Sequence, residues 1–380
     1  MGVGTVTPAE WVTFADPVSG VTLRQLTTYK TNNHHLYFTN PGWYAGGRKM
    51  LFGSDRYNRT NLYSIDLESG EITQLTDLEP VGPPRETELL SACVNPTREE
   101  AYFWHDRDLR ALDLETLEER TLWTMPEGFL GSMINCTAGG RFICTSLHED
   151  MSGRFRVDGL RGYVGFQETF EAKPDSRIML VASDGSGAEC VWSEECWIGH
   201  VNTSPTRPNL LTFCHEGPWY LVDNRIWGFD LDSRRACMIR HPGHGELVGH
   251  EYWHGDGETI GYHGYQRGGQ RFLGRVRFDD TDRFEVDFPG ETGHIHSNAF
   301  DVIVGDGGKY IRLWKWNGAS FDGPRALAEH RSSMKIQQAH PHPRFTPDGK
   351  RIVFTTDWTG YCQVYEAEVP EFESLPAVEE

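Results

Sequence analysis

The amino-acid sequence predicts an all-β chain, a seven-bladed β-propeller whose ring is closed by an N-terminal strand completing the last blade. Three observations lead there. Short apolar runs follow tight-turn residues seven times along the chain, at a period of roughly 40–60 residues. The 41 Gly and 20 Pro supply the turns that many short strands need. The last unit lacks an outer strand after Ala367, while residues 20–27 read as a spare one. A pair of β-sandwiches would show no repeat of this period.

The units follow in order. Blade one is Arg48-Lys49-Met50-Leu51-Phe52, then Asn61 to Leu67, then Gly70 to Thr76, and this last piece is echoed by residues 20–27. Blade two has Asn95-Pro96-Thr97, Ala101-Tyr102-Phe103-Trp104 and Leu112-Asp113-Leu114. Blade three has Ala138 to Cys144, a long insertion at about residues 148–176, and Ile178-Met179-Leu180-Val181. Blade four has Ser204-Pro205-Thr206, Leu210 to Phe213 and Ile226 to Leu231; blade five has Gly255 to Tyr262. Blade six has Phe300 to Val304 and Tyr310 to Trp314. Blade seven runs from Phe345-Thr346-Pro347-Asp348-Gly349 to Ala367. Residues 1–380 are thus expected to form a single domain. An edge-protected ring suits a monomer or a weak oligomer.

The net charge of −19 argues against nucleic acid as a partner. No apolar run approaches the roughly 20 residues of a membrane span. The N-terminus has no basic region followed by an apolar one, so the expected location is cytoplasmic. Eight cysteines without a Cys-x-x-Cys pair read as reduced and mostly buried in strands.

The histidines carry the functional signal. Counted back from the first turn of each blade, His342 is six before Asp348, His250 six before Asp256 and His200 six before Thr206; His294 is seven before Asp301. Four inner strands so aligned predict imidazoles converging at one mouth of the channel. The structural alternative, histidines bonded only to neighbouring blades, explains one such residue more easily than four. His340 and His342, two apart on an extended segment with Gln337 nearby, have metal-ligand character; alternatively they only shape the channel. Imidazoles with a Gln oxygen suit Mn²⁺ or Fe²⁺ as readily as Zn²⁺. Arg225, at the start of an apolar strand, is placed to hold a carboxylate in a fork or to pair with Asp223 or Glu216. The insertion carries Arg154, Arg156, Arg161, Tyr163, Phe166 and Phe170, the composition of a sugar-binding lid or of a solvated excursion.

Taken together, Gln337, His340-Pro341-His342-Pro343, Phe345-Thr346-Pro347-Asp348, Phe213-Cys214-His215-Glu216-Gly217-Pro218, Leu221-Val222-Asp223 to Arg225, Gly249-His250-Glu251 and Ser297-Asn298 resemble bacterial oligogalacturonate lyases, polysaccharide lyase family 22. Weaker matches are His34 before Tyr37-Phe38, and Gly199-His200. The resemblance implies a seven-bladed propeller in the cytoplasm that cleaves short galacturonate oligomers by β-elimination with bound Mn²⁺ or another divalent cation. It implies His294, Gln337, His340 and His342 as metal ligands, His250 as the base that takes the C5 proton, and Arg225 as the group holding the uronate. His200, His215, Arg161 and His34 are the expected substrate contacts. The chemistry fits: a C5 proton beside a carboxylate is weakly acidic until that carboxylate is neutralised, and imidazole is then a suitable base. The chain departs from the family in the insertion, where Gly165 stands at a position expected to be Lys, and in a shortened approach to Gln337. The competing readings are a lyase for another uronate oligosaccharide and a non-catalytic interaction propeller.

Overall fold

The computed structural model describes residues 2–81, 89–159 and 162–378. Seven antiparallel sheets succeed one another along the chain as the blades of a seven-bladed β-propeller. The turns explain why the repeat was visible. Where a strand ends in Asp-Leu, the aspartate folds back on the turn that follows. Asp66 Oδ1 accepts the backbone N–H groups of Glu68 and Ser69 at 2.9 and 3.1 Å, and Asp113 does the same for Glu115 and Thr116 at 2.9 and 2.8 Å. The aspartates of the Asp-Gly turns act alike: Asp256 Oδ1 takes the N–H groups of Glu258 and Thr259 at 2.9 Å each.

Contacts divide the chain into two compact units, residues 1–90 with 287–380, and residues 91–286. The first unit holds blades one, six and seven. Blade seven has the sheet order Val12–Ala15, Thr22–Gln25, Gln363–Glu368, Arg351–Thr356, Arg344–Phe345. The N-terminal segment therefore completes the last blade, with Leu23 opposite Ala367 and Gln25 opposite Tyr365. Arg24 and Arg351 both pair with the buried Glu366, at 2.8 and 2.6 Å. Leu23, Ile352, Phe354 and Ala367 bury this junction. A further N-terminal strand, Val6–Thr7, extends blade one by pairing with Ile72–Gln74. The sequence pattern had not shown it, because two residues carry no period.

The second unit holds blades two to five, each of four strands. The insertion after the strand Phe142–Glu149 is not a solvated excursion where it is described. Its helix Phe166–Ala172 sets Phe166 against Trp197, ring centres 5.0 Å apart, and Phe170 against Gly217. A Cβ on Gly217 would stand 2.4 Å from the Phe170 ring, so glycine is required in the His-Glu-Gly-Pro motif. Gly165 caps the same helix at φ 78°, and a Cβ there would meet the Arg156 carbonyl oxygen at 2.5 Å. The departure from the family at this position is thus a backbone requirement. Arg161 lies outside the described residues.

Five of the eight cysteines are buried and all are free thiols. Among the described residues no helix is long and apolar enough to cross a membrane.

Candidate active site

In the first unit, blades six and seven bring His294, His340 and His342 together. One ring nitrogen from each lies within 4.8 Å of the others, and all three residues are buried. The hairpin of blade six sets Ile295 opposite Gly305, hence His294 opposite Asp306. Asp306 accepts the His294 backbone N–H at 2.6 Å and its Nδ1–H at 2.8 Å. That carboxylate fixes the tautomer, leaving Nε2 with its lone pair. His340 donates from Nε2 to the Met334 carbonyl at 3.3 Å. Its Nδ1 is buried with no hydrogen-bond partner among the described residues. An acceptor nitrogen hidden from water and given no donor is the mark of a cation ligand. Burial, then the neighbouring His294, hold the His340 pKa below the usual imidazole range, so it is neutral and able to ligate.

The His-Pro-His segment is clamped from behind. The Pro341 carbonyl accepts from His35 Nε2 at 3.1 Å and from the Thr355 N–H at 3.0 Å. Tyr37 meets His342 edge-on at 4.8 Å, and Phe38 flanks His294 at 5.6 Å. Gln337 is half-buried in the turn Gln337–Ala339. Its neighbour Gln338 is buried, and neither amide atom of that residue has a hydrogen-bond partner among the described residues. His34 is 1 % exposed, and its ring sits where a Cβ on Gly53 would be.

The second unit holds His200, His215, Arg225 and His250. His200 and His250 interrupt their strands at the same place, where the register shifts between Gly199 and Asn202 and between Gly249 and Tyr252. Both adopt left-handed backbone, φ 43° and 52°, as does His342 at 45°. Three non-glycine residues in that region at one repeat position mark a recurring feature of the blades, which at His200 and His250 is a bulge that re-aims the side chain. His294 does not share it. Pairing nevertheless puts the four in register: Asn202, Tyr252, Arg344 and His296 each face the third residue of the next strand, and His200, His250, His342 and His294 each stand two residues before them. His294 reaches this place from backbone outside the left-handed region.

His250 Nδ1 lies 2.8 Å from His263 Nε2. Trp219 stands edge-on to both rings, at 5.2 and 5.8 Å, over Gly249, where a Cβ would clash with it at 2.1 Å. Arg225 is buried and bonded through Nη1 to Glu216 at 2.8 Å and through Nε to Glu251 at 3.2 Å. The expected pairing with Glu216 is present, and two of the five guanidinium N–H donors are taken by the protein, leaving one on Nη1 and two on Nη2. Asp223, the other partner considered, goes to His215 instead. Burial alone would raise the Glu216 pKa, but Arg225 and His200, whose Nε2 lies 3.2 Å away, draw it far below the usual carboxylate range.

His215 is also corrected as a substrate contact. Its Nδ1 is 2.8 Å from Asp223, its Nε2 is 3.0 Å from Glu194, and its ring stacks on Trp227 at 4.7 Å. Both nitrogens are committed, so the residue organises the loop and has none left for a sugar. Burial works to lower its pKa, but hydrogen bonds to Cys196, Glu194 and Asp223 raise it to about 10.

These shifts have a consequence for stability. His35 and His330 are pushed down from 6.5 to about 4, by burial above all. Their contribution is complete above pH 6.5 and is lost as pH falls towards 4, at roughly 3 kcal/mol each. His215 has the opposite sign: its contribution is complete below 6.5 and is lost as pH rises towards 10. The thermal midpoint is therefore expected to peak near pH 6.5 and to fall between pH 7 and 9. In His215→Gln the fall over that alkaline range should disappear; its persistence would refute the charged-histidine account.

The sequence reading missed Asp306, His263, Trp219 and Glu251. A signal for two of them existed. Asp306 and His263 lie across a hairpin from His294 and from Gly249, so counting through the turn finds both.

A sequence signature of the oligogalacturonate lyase family matches residues 1–313 of the chain. An oligogalacturonide lyase of Pectobacterium atrosepticum is 29% identical over 410 residues, covering 98% of this chain and 99% of its own. An oligogalacturonate lyase of Dickeya dadantii is 29% identical over 390 residues, covering 94% and 96%. Among solved structures, an oligogalacturonate lyase in complex with manganese superposes with a TM-score of 0.87 at 26% identity, covering 98% of this chain and 99% of that one.

Proposed function

Since the chain belongs to the oligogalacturonate lyase family, we propose that it is a metal-dependent lyase of the cytoplasm that cleaves short galacturonate oligomers by β-elimination. The observation that carries this reading is the buried cluster of His294, His340 and His342, with His294 oriented by Asp306 and a His340 nitrogen left without a partner. These residues fit a divalent cation, Mn²⁺ in the first instance, and Gln337 is the proposed oxygen ligand. When bound, the cation supplies positive charge that neutralises the uronate carboxylate and so acidifies the C5 proton.

The chain's own residues do the rest. His250 takes the C5 proton, the C5 electrons form the C4–C5 double bond, and the C4–O4 bond breaks with its pair going to oxygen. Arg225, with Nε held by Glu251 and one Nη1–H by Glu216, presents its remaining N–H groups on Nη1 and Nη2 to the uronate. They are already oriented, since both anchoring bonds are buried. His200 and Arg161 remain proposed substrate contacts, whereas His34 is buried within its own blade and is set aside as one.

The test is incubation with saturated and unsaturated digalacturonate and Mn²⁺, following ultraviolet absorbance and the uronate products. Cleavage of digalacturonate is expected. Activity confined to another uronate oligomer would overturn the substrate, and inactivity across a uronate panel would overturn the lyase.

A further inference from the structure

The pair His250 and His263 is built as a unit. Their nitrogens are 2.8 Å apart, the ring planes differ by 12°, and the ring centres are 5.1 Å apart. That centre separation is about the nitrogen–nitrogen distance plus the two ring radii. The rings therefore meet edge to edge in one plane, the geometry of a linear hydrogen bond between in-plane lone pair and N–H. His263 sits on the strand Thr259–Gln266 and is buried, and Trp219 covers both rings from the side.

We infer that His263 is a positioning residue for the elimination, holding His250 in the tautomer that a base requires. The inference rests on His250 being that base. Two neutral imidazoles joined through one nitrogen each share a single hydrogen, so one donates and the other accepts. If His263 donated, His250 would carry its own hydrogen on Nε2 and could not accept there. With His263 as acceptor, His250 holds its hydrogen on Nδ1 and keeps the Nε2 lone pair for C5–H. As the proton arrives, His250 becomes imidazolium, and its Nδ1–H bond to His263 becomes charge-assisted and stronger. The contact thus stabilises the transition state more than bound substrate, which raises turnover without tightening binding.

The experiment compares His263→Leu, His263→Gln and His250→Ala, each checked for fold by circular dichroism. Leucine removes the acceptor, whereas the glutamine carbonyl restores one near the place of Nε2. Leucine should lower kcat about 100-fold with KM within twofold, and glutamine should recover most of the loss. Equal losses in both, or a change in KM alone, would overturn the role of His263. If His250→Ala retains turnover, the base assignment fails instead, and the two failures are distinct. Nitrogen-15 spectra of the histidines in the wild-type protein, assigned with the His250 and His263 variants, give a readout free of activity. Nδ1–H on His250 is expected, and Nε2–H on His250 would overturn the inference even if the leucine variant does not fold.

Discussion

His250→Ala is expected to abolish turnover, with kcat reduced by roughly 10³-fold or more, while the bound metal stays at the wild-type stoichiometry. The size follows from removing a positioned general base from a reaction whose proton is weakly acidic, an effect of about 10²–10⁴-fold. The unchanged metal follows from the contacts. Among the described residues the group able to hold a metal is His294, His340 and His342, and His250 spends its Nδ1 on His263. Steady-state kinetics on digalacturonate and elemental analysis of the same preparation check both halves. Loss of metal together with activity would make His250 a ligand or a structural residue and remove it from the proton transfer.

The second large effect is on the cation. His340→Ala deletes a ligand whose Nδ1 is buried and otherwise unmatched, so the dialysed protein should retain little metal and lose nearly all activity. Asp306→Asn tests the layer behind. It keeps the shape but weakens the orientation of His294, and metal affinity should fall 10–100-fold with partial activity restored by excess Mn²⁺. The same series decides between adjacent glutamines. Gln337→Ala should weaken the site and Gln338→Ala should not; the reverse would transfer the oxygen ligand to the buried amide of Gln338. Titration with Mn²⁺ by calorimetry reads all four variants.

How much of this was legible depended on what each residue answers to. The blades were legible because turn chemistry is local: Asp66, Asp113 and Asp256 bond to residues two or three ahead, so the pattern is written in adjacent letters. His200, His250 and His342 were legible because left-handed backbone at one repeat position goes with a constant count to the following turn. His294 holds the same place in the pairing, and its count of seven differs because blade six has no Asp-Gly turn to count from. What stayed hidden was pairing. For Arg225 the pairing with Glu216, nine residues away, was among the readings, whereas Glu251 stayed hidden because it lies 26 residues away on another strand. His215 was read as a sugar contact because nothing nearby announces that Glu194 closes its second nitrogen. Charge and hydrogen-bond partners are settled by tertiary contacts, which a short window cannot contain.

The strand exchange in blade seven also sets a timetable. The sheet that carries His340 and His342 is assembled from Val12–Ala15 and Thr22–Gln25 and from Arg344–Glu368, segments made far apart in time. The early strands must wait, with apolar Phe14 and Leu23 uncovered, through the synthesis of some three hundred intervening residues. The histidine pocket therefore takes its final support only after Gln363–Glu368 has been made, and a chain cut short before Gln363 carries Thr22–Gln25 without the strand it was made to meet.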